Sequence, residues 1–163
     1  MSKKLGLFVL LIAVVCFTAP AVAAQGNVKS GPEASTIRDA ELEKDSQHNL
    51  EVARNYFNLK KAYVAALRRC EEVVASNPGF AKFDEVLYLA GASSKYLAEN
   101  KGKQNPSQYV TVEDGVKKTP TAEEFREMAR GYLGRLVSKY PESKFFKQAQ
   151  AELEGLGDTP VKP

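Results

Sequence analysis

The amino-acid sequence predicts an all-α domain, on two observations. Apolar residues recur at the three- and four-residue spacing of helices in five successive segments, and proline or glycine separates most of these segments. Only residues 109–112 are strand-like, and four residues without an evident partner form at best a transient edge. With 163 residues, of which 44% are apolar and 26% charged, the chain has the size and composition of one ordinary soluble domain.

A secretory signal peptide is predicted over residues 1–24. Two lysines precede an unbroken apolar run over residues 5–17, and the small residues 21–24 are typical of a signal-peptidase site. We therefore expect an exported, periplasmic chain that begins with a disordered spacer over residues 25–34. The alternative, in which Cys16 becomes the acylated first residue of a lipoprotein, is disfavoured by the residues that precede it.

The charge balance of the predicted mature chain disfavours a polyanionic partner. Removing the two leader lysines from the 23 basic residues leaves these almost equal in number to the 20 acidic residues. Basic residues are also interleaved with acidic ones, so nucleic acid is not expected as a ligand. One histidine and two cysteines are too few for a disulfide framework or a metal centre, and no cofactor is predicted.

The first two predicted helices form a pair. The first covers about residues 35–58 and carries little apolar surface in its first half. In the second, the apolar residues step by three, four and three positions and so share one face. These residues are Tyr63, Ala66, Cys70 and Val73. Pro78 cannot continue the helix and ends it.

The third predicted helix, residues 81–99, precedes a long loop. Small residues in its apolar stripe, Gly91 among them, predict close approach by a neighbouring helix. From residue 100 to residue 120 the chain is rich in glycine, proline and lysine, and its apolar residues follow neither the helical nor the strand period, so we expect a surface loop. We expect this loop to float in solvent, and docking of its Tyr109 onto a partner is the alternative.

Two further helices complete the predicted domain. Thr121 and Glu124 match a capping box at the start of the fourth helix, and Pro141 ends that helix. The fifth helix begins at Ser143, as the terminal cap of the domain. Residues 158–163 are predicted to form a disordered tail.

These helix pairs and their proline breakers resemble the tetratricopeptide repeat, a 34-residue antiparallel helix pair. When Pro78 is aligned with the last conserved place of the repeat, the apolar residues of the first pair fall on its other conserved places: Leu50, Ala53, Phe57, Tyr63, Ala66, Cys70 and Val73. Arg54 departs from the pattern, since a small residue is usual there, and predicts looser packing of the pair. The resemblance implies a short solenoid of antiparallel helix pairs with a long inserted loop and a C-terminal capping helix.

More narrowly, four segments are similar to the BamD family: NLEVARNYF at 49–57, AALRRC at 65–70, DEVLYLAG at 84–91 and YPES at 140–143. The resemblance covers residues 46–156. Members of that family are periplasmic repeat lipoproteins of the machine that assembles outer-membrane β-barrels. The resemblance therefore implies a non-enzymatic scaffold of the bacterial envelope, associated with the outer membrane, whose partners are other envelope proteins. A periplasmic repeat coordinator of another pathway, cell division or Tol-linked, is the alternative.

In repeats of this kind the first helix of each pair lines a concave groove that binds an extended peptide or a partner helix. Seven residues are predicted to face this groove: His48, Glu51, Asn55, Asn58, Glu85, Tyr88 and Lys95. An ordinary solvated helix face is the alternative interpretation of the same residues. Glu51 and Tyr88 stand where repeats that bind a C-terminal carboxylate usually have lysine or arginine, so that ligand is not expected.

No catalytic residue is predicted. Cys70 and His48 are the sole candidates for a nucleophile and its base, but Cys70 lies in an apolar stripe, where burial raises the pKa of a thiol. A small cysteine hydrolase is therefore a remote alternative. Paired carboxylates such as Glu71 and Glu72 are interpreted as solvated surface, because adjacent helical positions do not converge on one substrate. The oligomeric state stays open.

Overall fold

The computed structural model describes residues 34–157, with side chains over residues 40–112 and 114–157. These residues contain five α-helices and one small hairpin, and the predicted all-α class is confirmed. The helices are α1 (Ala34–Arg54), α2 (Tyr63–Ser76), α3 (Phe83–Ala98), α4 (Ala122–Lys139) and α5 (Phe146–Glu154). The strands are β1 (Thr111–Glu113) and β2 (Val116–Lys118). The predicted signal peptide, the predicted tail and all of the predicted spacer except Ala34 lie outside the described residues.

Helix α1 continues into a six-residue π-helical turn, Asn55–Lys60, so the chain stays helical two residues past the predicted end. The turn closes where Lys61 adopts the left-handed conformation (φ 52°) and the Ala62 N–H donates to the Tyr56 carbonyl at 2.9 Å. Phe57 is buried within this turn, whereas the side chain of Leu59 is 74% exposed.

Local signals set the ends of most helices as predicted. The Thr121 hydroxyl accepts from the Glu124 N–H at 3.2 Å, while the Thr121 N–H donates to the Glu124 carboxylate at 2.7 Å. This confirms the capping box at the start of α4. The predicted cap of α5 at Ser143 is displaced, because α5 begins at Phe146. The Ser143 hydroxyl instead accepts from the Phe145 N–H at 3.1 Å and donates to Asp84 at 2.6 Å.

Consecutive helices run antiparallel. In α1 and α2, the rings of Phe57 and Tyr63 lie 5.3 Å apart at one end, and Asn77, just past α2, donates to Ser46 at 3.2 Å at the other. A short turn joins the end of α4 to the start of α5. The Arg130 guanidinium, on the first half of α4, donates to the carbonyl of Leu156, just past the end of α5, at 3.1 Å, so these two helices are also antiparallel. The pairing before Pro78 therefore has the predicted antiparallel sense.

The odd-numbered helices form a row in which they run parallel. Lys82, next to the start of α3, donates to Gln47 of α1 at 2.9 Å, and Glu85 of α3 binds Arg54 of α1. On the other side of α3, Tyr88 stacks on Phe145 with ring centroids 5.0 Å apart. The row α1–α3–α5 thus presents one side of the domain, and α2 and α4 lie behind it.

Helices α3 and α4 pack closely through Gly91. A Cβ atom at this position would lie 2.5 Å from Cγ of Leu133 and 3.3 Å from its backbone nitrogen. Leu133 is fully buried, so it has no free space into which to move. The predicted close approach at the small residues of α3 is confirmed.

The inserted segment between α3 and α4 does not float in solvent, and that prediction is wrong. Tyr109 is only 5% exposed and its ring packs against Phe125 with centroids 5.5 Å apart. Gln104 accepts from the N–H of Ala65, in the first turn of α2, at 3.0 Å. The segment therefore runs along α2 and is held there by its own side chains. The prediction failed because a single aromatic residue can be buried in a core even where the sequence shows no helical or strand period.

The strand-like residues also have a partner, contrary to the prediction. Strands β1 and β2 pair antiparallel with Thr111 opposite Lys118 and Val112 opposite Lys117. The turn between them is Asp114-Gly115, with φ of 50° and 78°. Positive φ at both central residues is the requirement of the tight hairpin turn that Asp-Gly favours.

Among the described residues, no helix has both the length and the apolar character that crossing a membrane requires.

Candidate partner-binding surface

Three of the seven predicted groove residues line one open depression on the side formed by the odd-numbered helices. Glu51, Asn55 and Asn58 are exposed and follow one another at helical spacing, so they share a face of α1 and its π-helical turn. With Arg54 and Leu59 they line a depression of about 450 Å³. His48 is exposed one turn earlier on α1 and does not belong to this lining.

The charge of the depression comes from Glu51. The guanidinium of Arg54 makes two bonds to Glu85, Nε to Oε1 at 2.5 Å and Nη2 to Oε2 at 2.7 Å. The hydrogen bond to Glu85 raises the pKa of Arg54, so the cation is held in an ion pair. Glu51 accepts only a neutral donor in the structure, the amide of Gln47 at 2.7 Å. Arg54 feels the charge of Glu51 at longer range, but no described cation binds the Glu51 carboxylate directly, so the carboxylate can bind a ligand.

The other three predicted groove residues, all on α3, are held by neighbouring helices. Glu85 is 9% exposed and binds Arg54, Tyr88 stacks on Phe145, and the ammonium of Lys95 binds the carboxylate of Glu152. Helix α3 lies between α1 and α5, so long side chains at the predicted places reach the next helix before they reach solvent. The prediction that these three residues face an open groove is corrected on this point.

Arg54 was missed by sequence reasoning. From Arg54 at a place where the repeat usually has a small residue, looser packing of the first helix pair was predicted, but no partner was predicted for the guanidinium. The structure instead places the guanidinium across to α3, where Glu85 occupies a predicted groove place. The signal that could have identified the pair was Arg54 at a place where the repeat usually has a small residue, together with the opposite charge of Glu85 on α3.

Cys70 and His48 do not form a catalytic pair. The thiol is 1% exposed, and burial, followed by the nearby carboxylates of Glu71 and Glu85, raises its pKa far above the usual value. A thiol in this state supplies almost no thiolate at neutral pH. His48 lies on the exposed face of α1. Within residues 40–112 and 114–157, no three His, Cys, Asp or Glu side chains are grouped as metal ligands.

Glu71 is not a solvated surface residue, which corrects that interpretation. The Tyr109 hydroxyl donates to Glu71 Oε1 at 2.5 Å, and the Tyr132 hydroxyl donates to the same oxygen at 3.3 Å. Burial raises the pKa of this carboxyl group, and the two phenol hydrogen bonds act in the opposite direction. Arg68 lies over the Tyr109 ring, 5.4 Å from its centroid. The cluster joins α2, α4 and the inserted segment, and we interpret it as an anchor.

No family model, curated protein or solved structure matches the chain.

Proposed function

We propose that this protein is an exported, non-enzymatic scaffold of the bacterial cell envelope that binds an extended segment of another envelope protein across the depression on α1. The observation that carries the proposal is the set of exposed polar side chains, Glu51, Asn55 and Asn58, that line this depression on one face of α1 and its π-helical turn. Rigid elements that present polar groups to solvent are suited to binding without chemistry.

The chemistry of the lining supports a peptide ligand. Each asparagine carboxamide offers both a donor and an acceptor, which matches the two groups of a peptide unit. Glu51 adds a negative charge that favours lysine or arginine in the bound segment, and Leu59 offers apolar surface beside it. The parallel row of α1, α3 and α5 supports a tetratricopeptide-like arrangement, in which such a surface is the usual place for a partner.

Within this proposal, the segments similar to the BamD family favour a role in outer-membrane protein assembly. A periplasmic coordinator of cell division or of the Tol system would use the same surface. The two roles differ in the identity of the bound protein, so the same experiment separates them.

The experiment compares two variants of matched composition. The first replaces Glu51→Lys, Asn55→Ala and Asn58→Ala. The control replaces Glu154→Lys, Gln148→Ala and Gln150→Ala, which removes the same groups from exposed positions of α5. Each is made in the full chain, expressed in bacteria, and its partners are cross-linked in the periplasm and quantified by mass spectrometry. We expect the first variant to lose at least about tenfold of one partner, a loss of about 1.4 kcal/mol or more, and the control to keep it.

Equal retention of every cross-linked protein by both variants would show that the depression is not a binding surface. A barrel-assembly component as the lost partner would favour the outer-membrane role, and a division or Tol component would favour the alternative.

A further inference from the structure

Four lysines gather at the end of the domain where α1 finishes and α3 finishes. Lys60 and Lys61 belong to the turn before α2, and Lys101 and Lys103 belong to the turn after α3. All four are exposed. We call this group the basic end. The near-neutral charge of the predicted mature chain conceals it, because composition averages over the whole surface.

The two turns are held against each other by backbone geometry. The Lys103 N–H donates to the Lys61 carbonyl at 2.9 Å. Between the lysines of the second turn, Gly102 has φ 94°, and a Cβ atom there would lie 2.6 Å from the Lys61 oxygen and 2.6 Å from the Tyr63 ring. Only glycine permits this approach, and Lys61 itself adopts φ 52°. The backbone of the two turns is therefore held in contact, which brings the four lysines to the same end of the domain.

Among the described residues, negative charge offsets the basic end only at Lys101, on which the carboxylates of Glu99 and Glu152 act. Lys101 pairs with Glu99 at 2.6 Å, whereas none of the described carboxylates forms an ion pair with Lys60, Lys61 or Lys103. Two of the ammonium groups, those of Lys60 and Lys101, lie over aromatic rings. Lys60 is 5.2 Å from the centroid of Tyr56, and Lys101 is 5.6 Å from that of Tyr96.

A protruding apolar side chain adjoins these charges. Leu59, directly before Lys60, is 74% exposed, more than any other large apolar side chain in the described part of the chain. The rings of Tyr56 and Tyr96, which lie under Lys60 and Lys101, are half-buried. Lysines around an exposed leucine and amphipathic rings match the layered chemistry of a bilayer surface, with anionic headgroups outside and acyl chains beneath.

We propose that the basic end docks on an anionic phospholipid surface. The lysines contact headgroup phosphates, and Leu59 enters the boundary between headgroups and acyl chains. Leu59 also borders the open depression on α1, but its side chain is 74% exposed and no enclosed pocket of described residues surrounds it. A phospholipid surface, into which a protruding side chain can enter, therefore fits better than an acidic protein, which would need to hold that side chain in a pocket. The proposal shares Leu59 with the partner-binding depression, but none of the four lysines lines that depression, so the lysines test the docking separately from the partner-binding role.

The test is vesicle co-sedimentation with the exported protein purified from the periplasm. The vesicles contain equal parts phosphatidylglycerol and phosphatidylcholine, or phosphatidylcholine alone. The first variant replaces Lys60, Lys61, Lys101 and Lys103 with glutamine. The control replaces Lys44, Lys139, Lys144 and Lys147 with glutamine, which makes the same change in net charge at exposed positions elsewhere. Thermal unfolding establishes that each variant is folded.

We expect the first variant to lower partitioning onto the anionic vesicles by at least about tenfold, since each lysine near the surface contributes about 1 kcal/mol. The control should stay within about twofold of the unsubstituted protein, and salt should weaken the binding. Leu59→Asn, which keeps every charge, should lower partitioning several-fold.

Four results would overturn the proposal. These are failure to bind anionic vesicles, equal binding to phosphatidylcholine alone, an equal loss in the control, and displacement by soluble glycerol phosphate, which would indicate a site for free phosphate. Displacement by soluble polyglutamate at concentrations that leave the vesicles intact would favour an acidic protein instead. Because no protein partner is present, each of these results is independent of the depression on α1.

Discussion

Gly91 shows how one missing side chain sets the distance between two helices. The contact with Leu133 leaves no room for a methyl group, and Leu133 is enclosed on all sides. Glycine in a helix interior lowers helix stability by about 1 kcal/mol relative to alanine. At Gly91 the close packing of α3 against α4 offsets this loss. Gly131 on α4 is also helical, but a Cβ atom there would meet nothing within 4 Å.

The two glycines therefore predict opposite effects of one substitution. Gly91→Ala should lower the free energy of unfolding by about 1–3 kcal/mol, because the new methyl group overlaps a buried side chain. Gly131→Ala should raise it by up to about 1 kcal/mol, because it removes backbone entropy from the unfolded chain without a steric cost. Urea unfolding measures both. A stabilised Gly91→Ala variant would contradict the close packing of α3 against α4.

At the scale of elements, the inserted segment is part of the fold, because Tyr109 ties it to α2 and α4 through Glu71. Glu71 is a carboxylate that the protein holds away from water, and burial raises its pKa above the usual 4.5. The folded state thus binds the proton more tightly than the unfolded state. The contribution of this group to stability is fully present below pH 4.5 and declines as the pH rises through the folded-state pKa.

Glu71→Gln should remove this decline. We expect the unsubstituted protein to gain most in unfolding free energy, relative to the variant, at acid pH. This gain should shrink as the pH rises toward neutral. Urea unfolding at a series of pH values measures the difference. Glu72→Gln removes the same charge from the exposed neighbour, and an identical change of slope in that control would refute the assignment to Glu71.

At the scale of the whole molecule, polar pairs connect the helices of the row. Arg54 joins α1 to α3 through Glu85, and Lys95 joins α3 to α5 through Glu152. These links bridge elements that are not consecutive in the chain, so they fix the relative positions of the three helices of the row. The side chain of Glu85 is 11% exposed and that of Arg54 is 33% exposed, so solvent screens the first pair only in part.

A double-mutant cycle on Arg54 and Glu85 measures this link. We expect a coupling free energy of about 1 kcal/mol, less than for a fully buried pair because water reaches the guanidinium. Arg54→Ala should destabilise more than Glu85→Ala, since it leaves a nearly buried carboxylate without its partner. The exposed pair Arg69 and Glu72 on α2 is the control, expected at no more than about 0.5 kcal/mol. Equal coupling in the two cycles would contradict a structural role for the first pair.

Features that act over a few residues were predictable. The capping box at Thr121, the ends of α2 and α4 before Pro78 and Pro141, the burial of Cys70 and the small residues around Gly91 follow from spacing and backbone chemistry. The hairpin was also within reach, because Asp114-Gly115 between strand-like residues is a strong local turn signal. The predicted binding residues on α1 were placed correctly on an exposed face, although their role stays a prediction.

What the sequence determined by itself is the helical character of the chain, the limits of most helices and the residues that each buries. Only the tertiary structure decided that Glu85, Tyr88 and Lys95 are occupied, that Tyr109 anchors the insertion and that the lysines of two turns meet at one end. Periodicity reports which face of a helix is apolar, because neighbours along the chain share its axis. It carries no information on which distant charge or ring will lie opposite, since that depends on how the helices are placed in space.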